Sequence, residues 1–283
     1  MKRELHPKLL LASSVKDMHI FAPAKINLTF DVKGRRADGF HSIESVVSFL
    51  DVGDGLEIKL ADSFQYTKEG QYAHHLPDDI EKDLAIRAIK LFEDTVNIEA
   101  SVSLRLVKNI PAGSGLGGGS SDAAAVLKAL NTLYDTRLSV NQLCDLGAEL
   151  GSDVPVCVRG GTVMMSGRGE VLEDAALPYN GYFLLAWPDV QSATKDVFES
   201  YHKVGKHPEF SNDLTAAAIS VNPEIGACLA FLQKFKTAKH IDMTGSGSTC
   251  FAVFEDKAHA KTAIQYTQSK FPDWWVQLAK IID

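Results

Sequence analysis

Residues Ile110 to Ala124 read IPAGSGLGGGSSDAA, and five glycines fall within the seven residues from Gly113 to Gly119. Glycine at this density costs backbone entropy and leaves the main chain bare, so a fold accepts it where the chain turns tightly or where a ligand approaches the backbone N–H groups. The alanine-rich segment that follows has strong helix propensity, and the N-terminus of a helix attracts negative charge. The pattern therefore predicts an anion-binding loop, and phosphate suits such a loop.

Two known nucleotide-loop patterns and a plain turn are the alternatives for this segment. A Walker-type P-loop requires GxxxxGK[ST], and no lysine follows these glycines. Gly113, Gly115 and Gly118 satisfy the dinucleotide pattern GxGxxG. However, the acidic residue at the right distance, Asp135, lies in the turn YDTRLS and not at the end of a second strand. A loop that serves only as a tight turn needs fewer glycines.

We therefore expect the backbone N–H groups from about Ser114 to Ser121 to surround a phosphate chain. The hydroxyls of Ser120 and Ser121 would then reach phosphate oxygens or the water shell of a magnesium ion.

The elements on either side of the loop set its position. SVSLRLV alternates apolar residues as a half-buried strand before the loop, and SSDAAAVLKALNTLY is a helix after it. Upstream, HIFAPAKINLTFDV has the same strand period and places Lys25 and Asn27 on its polar face. Downstream, Ser139 caps the predicted helix VNQLCDLGAEL, which Gly151 ends and Pro155 keeps from resuming. Asp153 lies in that exit turn.

The rest of the chain is predicted to contain both strands and helices. Asp83 is expected to cap the amphipathic helix LAIRAIKLFEDTV, and strands are expected around residues 43–50 and over DGLEIKL. VPVCVRGGTVMMSGRGEVL is predicted as strand, turn and strand. The later elements are the strand GYFLLAW, the helices TKDVFESYH and NPEIGACLAFLQKF, the strand TCFAVF, the helix KAHAKTAIQYTQSKF and the strand WWVQLAKII.

Length and composition limit the class of protein. The chain has 283 residues, of which 45% are hydrophobic and 23% charged, as expected for one large or two ordinary globular domains. A net charge of −7 without a basic run argues against a nucleic-acid partner. No segment approaches a membrane span of about 20 apolar residues. The apolar run at residues 9–12 is shorter than the roughly 7–15 residues of a signal peptide.

From these limits we expect a cytoplasmic protein with a small-molecule ligand and no nucleic-acid or membrane partner. Residues before about Lys16 are interpreted as an exposed extension. The four cysteines are widely spaced, with no CxxC pair, so they are predicted to be buried, reduced thiols.

Several segments together carry a family resemblance. PAGSGLGGGSSDAA resembles the nucleotide loop P-x-x-x-G-L-G-[SG]-S-S of the superfamily that contains galactokinase, homoserine kinase and mevalonate kinase. Within that superfamily the chain is similar to the 4-diphosphocytidyl-2-C-methyl-D-erythritol kinases of the non-mevalonate isoprenoid route. The similar segments, in family order over roughly residues 20–255, are PAKINL, GRRADGFHSIESVVSFLDVGD, GSDVPVCVRGG, EFSNDL and MTGSGSTCFAVF.

The resemblance implies a fold that the strand and helix pattern agrees with but does not specify. It implies an α+β protein of two domains with the active site in the cleft between them. A composition shift near Gly167 to Pro178 is the candidate domain boundary. Residues 17–166 would then form the ATP-binding and catalytic domain, and residues 167–283 a ferredoxin-like α+β domain. A monomer or a weak dimer is expected.

The resemblance also implies a reaction. ATP would phosphorylate the 2-hydroxyl of 4-diphosphocytidyl-2-C-methyl-D-erythritol, with Mg2+ bound through the phosphates and no metal-ligating residues predicted. Lys25 and Asp153 would be the catalytic pair, Asp153 accepting the hydroxyl proton and Lys25 beside it. From the residues alone, a solvated strand lysine and a turn aspartate are the alternatives. The residues expected to bind ATP are Pro111, Ala112, Gly113, Ser114, Gly115, Leu116, Gly117, Gly118, Gly119, Ser120 and Ser121.

For the acceptor, the resemblance implies a cytosine stacked between two aromatic rings and read by a histidine. Phe40 and His41 occupy the G-[YF]-H positions, and Phe198 is the expected opposite ring, with a core-facing position as its alternative. The second glycine loop, TGSGS at Thr244 to Ser248, is either a turn at a strand entry or hairpin or a second phosphate loop. The residues expected to bind this substrate are Asn27, Phe40, His41, Thr194, Phe198, Gly245 and Ser246.

Two other functions remain open at this stage. A catalytically silent relative would bind nucleotide or carbohydrate as a sensor, but such a protein would be expected to have lost Lys25 or Asp153. A kinase of homoserine or mevalonate is disfavoured by the segment GFHSIESV.

Overall fold

The structure is a computed structural model that describes residues 17–37 and 39–282. The expected N-terminal extension before about Lys16 lies outside the described residues. Within them, the chain forms strands and α-helices in mixed order. The strands are β1 Asp17–Asn27, β2 Asp31–Arg35, β3 His41–Leu60, β4 Gln65–Glu69, β5 Val102–Val107, β6 Val163–Gly167, β7 Val171–Asp174, β8 Tyr182–Trp187, β9 His240–Met243, β10 Cys250–Phe254, β11 Trp275–Ala279 and β12 Ile281–Ile282. The helices are α1 Leu84–Val96, α2 Gly118–Leu133, α3 Val140–Leu150, α4 Val154–Arg159, α5 Thr194–Val204, α6 Thr215–Val221, α7 Pro223–Leu232 and α8 Lys257–Lys270.

The described chain divides into two compact units, each assembled from separate segments. The first unit contains residues 17–24, 53–111 and 118–160, and the second contains residues 25–52, 112–117 and 161–282. The 20-residue strand β3 contributes residues to both units. The division at residues 166 and 167, expected from the composition shift there, stays a prediction.

In the first unit, the last residues of β3 pair antiparallel with β5, and β4 pairs parallel with the other edge of β5. Helix α1 packs on α2, and α4 packs on both α2 and α3. Asp83 caps α1 by accepting a hydrogen bond from Ala85 N at 2.9 Å, as predicted. Ser139 caps α3, and its side chain and that of Gln142 form a complete capping box. These capped helices form one wall of the unit's core.

In the second unit, the first part of β3 pairs with β2, β6 and β12, and β7 extends β6. A separate antiparallel sheet has the order β11-β8-β10-β9. Helices α5–α7 connect its first and second strands in the chain, and α8 connects its third and fourth. This strand order and helix placement are those of a ferredoxin-like βαββαβ fold. The predicted α+β class with a ferredoxin-like second half is therefore confirmed.

Most of the cysteine side chains lie in the buried cores. All four are free thiols; Cys157, Cys228 and Cys250 are buried and Cys144 is half-buried. Burial raises the pKa of the Cys250 thiol well above its ordinary value. The prediction of buried thiols is therefore right for three of them.

No helix in residues 17–37 and 39–282 combines the length and apolarity that crossing a membrane demands.

One sequence prediction is wrong. VPVCV was predicted as a strand, and Pro155 as a residue that keeps the helix from resuming, yet helix α4 begins at Val154 immediately after the turn. Pro155 lies in the first helical turn, where its missing N–H has no intrahelical partner to lose. Gly147 of α3 has no side chain to obstruct α4: a Cβ there would lie 2.9 Å from Val154 Cγ1. Close helix packing therefore overrides the strand preference of the valines.

Candidate functional site

The predicted phosphate loop lies between β5 and α2, as the sequence indicated. Its backbone is left-handed at alternate glycines, with φ values of +67° at Gly113, +82° at Gly115 and +63° at Gly117. Residues with a Cβ rarely adopt this conformation. A Cβ on Gly117 would also lie 2.6 Å from Lys25 Cγ. Glycine at position 117 is therefore required both by the backbone conformation and by the close approach of the Lys25 side chain.

Carbonyl groups fix the first half of the loop inside the second unit. Leu116 O accepts a hydrogen bond from Lys25 N at 2.9 Å, and Ser114 O accepts one from Thr249 N at 2.9 Å. Gly113 O accepts a third from Ser192 N at 3.0 Å. The loop is thus held through its carbonyl oxygens.

The second half of the loop is the first turn of α2, from Gly118 to Ser121. The N–H groups of a first helical turn have no partners within the helix, and they carry the positive end of the helix dipole. Ser120 is half-buried and Ser121 is buried. This turn therefore offers N–H and hydroxyl donors of the kind that bind a phosphate chain.

Lys25 and Asn27 lie together near the end of β1. The Lys25 side chain is buried, and its Nζ donates to Asn27 Oδ1 at 2.5 Å. Asn27 Nδ2 in turn donates to Ser45 Oγ at 2.7 Å, and Ser45 Oγ donates to Thr29 O at 2.6 Å. Because burying a polar group costs free energy unless the group is hydrogen-bonded, this chain of polar groups holds the Lys25 side chain in one position. Lys25 is therefore not the solvated strand lysine of the alternative interpretation.

The second glycine loop contacts the same residues. Asn27 N donates to Thr244 Oγ1 at 2.9 Å. A Cβ on Gly245 would lie 3.2 Å from Lys25 Nζ, and a Cβ on Gly115 would lie 2.7 Å from Thr244 O. The loop is a hairpin connection between β9 and β10, as one interpretation predicted. It also lies against Lys25 and against the first glycine loop.

Thr194, the first residue of α5, extends this cluster to a further predicted residue. Its Oγ1 lies 3.0 Å from Ser246 Oγ, so the two hydroxyls share a hydrogen bond. Ser246 is buried and Thr194 is exposed. The second unit thus brings together Lys25, Asn27, Thr194, Gly245, Ser246 and the loop residues Gly113 to Gly117.

The predicted aromatic residues form a second cluster in the same unit. The His41 ring stacks on the Phe198 ring with 4.8 Å between centroids and 19° between planes. Tyr201 and His202 also contact His41, with centroid distances of 6.2 and 4.7 Å. Phe198 is half-buried, whereas the neighbouring Val197 is the buried residue of α5. Phe198 therefore does not have the core-facing position of the alternative.

Phe40 is 53% exposed, and the Arg168 guanidinium lies 3.7 Å from the centre of its ring. Partial burial lowers the pKa of His41, and the neighbouring charges of His202 and Arg35 lower it further. A neutral imidazole has one donor and one acceptor nitrogen. His41 can therefore read a ligand edge that offers both.

Asp153 lies in the first unit, in the turn between α3 and α4. It is half-buried, and its side chain makes no capping hydrogen bond to α4. Its backbone O accepts from Cys157 N at 3.3 Å. Its predicted pairing with Lys25 stays a prediction.

Sequence reasoning missed a buried ion network in the first unit. Lys108 Nζ donates to Asp122 Oδ2 at 2.7 Å and to Asp54 Oδ2. Asp54 Oδ1 accepts from Asn109 N at 2.6 Å and Ile110 N at 2.9 Å. All three charged side chains are buried. The network thus joins β3, the chain just before the glycine loop and the first turns of α2.

The ionisation of Lys108 and of Asp122 is shifted by burial and by the neighbouring charges. Burial alone lowers the pKa of Lys108, but the charges of Asp122 and Asp54 outweigh burial and raise it. Burial raises the pKa of Asp122 to about 7, against the opposing effect of Lys108 and with the added repulsion of Asp54. The sequence indicated this network only through Lys108 and Asp122, which lie on either side of the glycine loop.

Comparison with known proteins identifies the family. Residues 83–161 match the GHMP kinases N terminal domain, and residues 197–273 match the GHMP kinases C terminal family. The chain is 37% identical over 291 residues to 4-diphosphocytidyl-2-C-methyl-D-erythritol kinase of Rhodopseudomonas palustris, with 93% of this chain and 94% of the relative covered. It is 34% identical over 281 residues to the protein of that name in Paramagnetospirillum magneticum, with 93% and 98% covered.

Solved structures give the same result. A crystal structure of 4-(cytidine 5'-diphospho)-2C-methyl-D-erythritol kinase matches with a TM-score of 0.77 and 28% identity, over 93% of this chain and 99% of that one. A homoserine kinase from Cytophaga hutchinsonii matches in fold alone, with a TM-score of 0.68 and 21% identity over 96% and 99% of the two chains. The chain belongs to the 4-diphosphocytidyl-2-C-methyl-D-erythritol kinase family of the GHMP kinases.

Proposed function

We propose that this protein transfers the γ-phosphoryl group of ATP to the 2-hydroxyl of 4-diphosphocytidyl-2-C-methyl-D-erythritol, a step of non-mevalonate isoprenoid precursor biosynthesis. The observation that carries the proposal is the position of Lys25. Its backbone N–H bonds to Leu116 O, and its side chain occupies the space that a Cβ on Gly117 would fill. The methylene groups of the Lys25 side chain therefore form part of the wall of the first glycine loop, and the Lys25 ammonium lies beside Gly245 of the second.

Phosphoryl transfer requires chiefly that the acceptor and the γ-phosphate be positioned in line and that their charge be stabilised. In the proposed site, residues Pro111 to Ser121 hold the triphosphate through backbone N–H groups and the hydroxyls of Ser120 and Ser121. The first-turn N–H groups of α2 and the two hydroxyls are donors that fit a polyphosphate. In the proposal, the Lys25 ammonium adds a positive charge to them. Mg2+, bound through the phosphates, would supply further charge neutralisation when present.

Asp153 and Lys25 have separate roles in the proposed step. The 2-hydroxyl oxygen forms the new bond to the γ-phosphorus, the bond from that phosphorus to the β–γ bridging oxygen breaks, and ADP leaves. The hydroxyl proton passes to the Asp153 carboxylate. The Lys25 ammonium, held by Asn27, stabilises the charge that spreads over the transferred phosphoryl oxygens.

The aromatic cluster accounts for the choice of acceptor. Phe40, His41 and Phe198 would bind the cytosine, Asn27 and Thr194 would line the same pocket, and Gly245 and Ser246 would lie along the diphosphate. Mevalonate and homoserine have no base for these rings. Binding energy from the remote cytosine can then help to orient the reacting hydroxyl.

The remaining expectations belong to the same proposal. The protein acts in the cytoplasm as a monomer or a weak dimer, without a nucleic-acid or membrane partner. Residues 17–166 form its ATP-binding and catalytic domain and residues 167–283 its ferredoxin-like domain.

The purified protein is offered ATP and Mg2+ with four acceptors in parallel: the cytidylyl compound, its uridylyl analogue, mevalonate and homoserine. ADP release and the mass of the phosphorylated product are measured. Turnover should be efficient with the cytidylyl compound alone. Preference for mevalonate or homoserine would overturn the proposed function. ATP binding without turnover of any acceptor would identify a silent relative. Equal use of the uridylyl analogue would remove only the cytosine-reading role of His41.

A further inference from the structure

The segment EFSNDL contains a buried side chain that joins two parts of the second unit. Asn212 is 2% exposed and precedes α6. Its Nδ2 donates to Met243 O and to Gly245 O, both at 2.8 Å, and its Oδ1 accepts from Leu214 N at 2.9 Å. Both N–H donors of the amide are thus used. Two carbonyl partners on one side and an N–H on the other fix the orientation of the amide.

The two carbonyl groups that Asn212 binds lie on either side of Thr244. Thr244 Oγ1 accepts from Asn27 N at 2.9 Å and also lies 3.4 Å from Asn27 Oδ1. That Oδ1 is the acceptor for Lys25 Nζ. One amide therefore fixes the backbone on both sides of the residue that contacts Asn27, and through Asn27 it reaches Lys25.

The next residue, Asp213, fixes the chain that follows Asn27. Asp213 N donates to Phe30 O at 2.9 Å, and Asp213 Oδ2 accepts from Val32 N at 2.9 Å. Lys206 Nζ lies 2.7 Å from Asp213 Oδ1. Asp213 is 3% exposed. Two adjacent residues therefore hold both the second glycine loop, which contacts Asn27, and residues 30–32, which follow Asn27 in the chain.

We propose that Asn212 is a positioning residue for phosphoryl transfer. By holding the carbonyl groups of Met243 and Gly245, it sets the distance between the second glycine loop and Lys25, and so places the ammonium for the transferred phosphoryl group. This inference rests on the proposed function, because Lys25 acts on the phosphoryl group only in that reaction. In this proposal Asn212 acts through the second glycine loop, because both of its amide donors are bonded to backbone carbonyls there.

The first test is Asn212→Asp, which keeps the shape of the side chain and removes both donors. We expect kcat to fall about tenfold or more while the KM values for ATP and for the cytidylyl substrate change by less than about threefold, because an interaction that matters in the transition state lowers kcat and not substrate affinity. The loss should shrink at acidic pH. A protonated carboxyl offers one donor again, and that donor can bond one of the two carbonyls.

The matched control is Asn131→Asp in the first unit. Asn131 Nδ2 donates to Leu138 O at 3.0 Å, and its Oδ1 accepts from Leu138 N at 2.8 Å. This amide also holds a loop in place, so the same substitution should lower Tm with little effect on kcat. Asn212→Ser removes the donors without adding charge, and it repeats the test in case the introduced carboxylate prevents folding.

A folded Asn212 variant with kcat within about twofold of wild type would overturn the inference. The inference would also be overturned if Asn131→Asp lowered kcat as much as Asn212→Asp does at an equal loss of Tm. Failure of both Asn212 variants to fold would overturn it too, because either result assigns Asn212 a purely structural role. A wild-type protein that turns over no acceptor would instead overturn the proposed function.

Discussion

The imidazole of His41 stacks directly on the phenyl ring of Phe198, with 4.8 Å between ring centres and 19° between planes. The two residues come from the start of β3 and from α5. An aromatic ring is a flat surface of the kind on which a nucleobase stacks, and base stacking is worth about 1–3 kcal/mol per base.

Phe198→Ala should therefore lower kcat/KM for the cytidylyl substrate by about tenfold or more, the equivalent of about 1.4 kcal/mol or more of stacking. His41→Ala should lower it further, because a buried polar edge of the base would lose its partner. Tyr266→Ala removes an exposed ring from α8 and serves as the control. Steady-state kinetics with both substrates would test this, and the KM for ATP should stay unchanged. An unaltered kcat/KM in a folded Phe198 variant would remove the ring from the site.

Lys25→Ala and Asp153→Asn should each lower kcat by about 100-fold or more, the scale of a positioned proton acceptor. Their double variant should lose much less than the product of the two, because groups that act as a unit are not additive. Lys59→Ala, at a partly exposed ion pair with Glu57, is the control for loss of a lysine. Near-normal turnover in either single variant would refute the catalytic role of that residue.

Gly117→Val should raise the KM for ATP about tenfold or more, since about 1.4 kcal/mol of lost binding is a tenfold effect. The cause is the Cβ, which would lie 2.6 Å from Lys25 Cγ at a φ of +63°. Gly205→Val is the matched control, because its φ is +72° and nothing lies within 4 Å of its Cβ position. Backbone strain is then similar in both variants. Equal ATP affinity in the two would show that the contact with Lys25 does not matter.

Asp122→Asn should change how stability depends on pH. The pKa of Asp122 is raised from 3.8 to about 7, chiefly by burial. The folded protein therefore binds more protons than the unfolded chain between about pH 4 and 7, and the free energy of unfolding falls as pH rises through this window. Asparagine has no such ionisation. As pH rises from about 4 to 7, the free energy of unfolding of the variant, measured by urea denaturation, should increase relative to that of wild type, and a constant difference would contradict the raised pKa.

Local signals in the sequence predicted the local structure well. The Asp83 cap, the Ser139 cap and the glycine loop each depend on residues within a few positions of one another. Side-chain capping and left-handed glycines are physical requirements that leave a short pattern in the chain. The strand that carries Lys25 was predicted for the same reason, from a simple alternation of apolar residues.

Long-range contacts left no such pattern. Lys108 and Asp54 are 54 positions apart, and Asn212 and Gly245 are 33 apart. Nothing in the neighbouring residues shows that these side chains are buried, and burial is what gives the contacts their importance. The strand prediction for VPVCV failed for a related reason, since the packing of Val154 against Gly147 decides the conformation there. The ferredoxin-like topology was foreseen only through the family resemblance.

The pairing of β12 with β3 has a consequence for synthesis on the ribosome. Ile281 pairs with Leu50, and Lys280 N bonds to Asp51 Oδ1 across 229 positions of chain. At about 5–20 residues per second, roughly 10 to 50 seconds separate the emergence of the two strands. During that interval the nascent β3 lacks its β12 partner beside Phe49 and Leu50, both buried in the finished protein. Asp51 is exposed and follows these two residues. A charged side chain at a strand edge discourages that edge from pairing with a strand of another nascent chain.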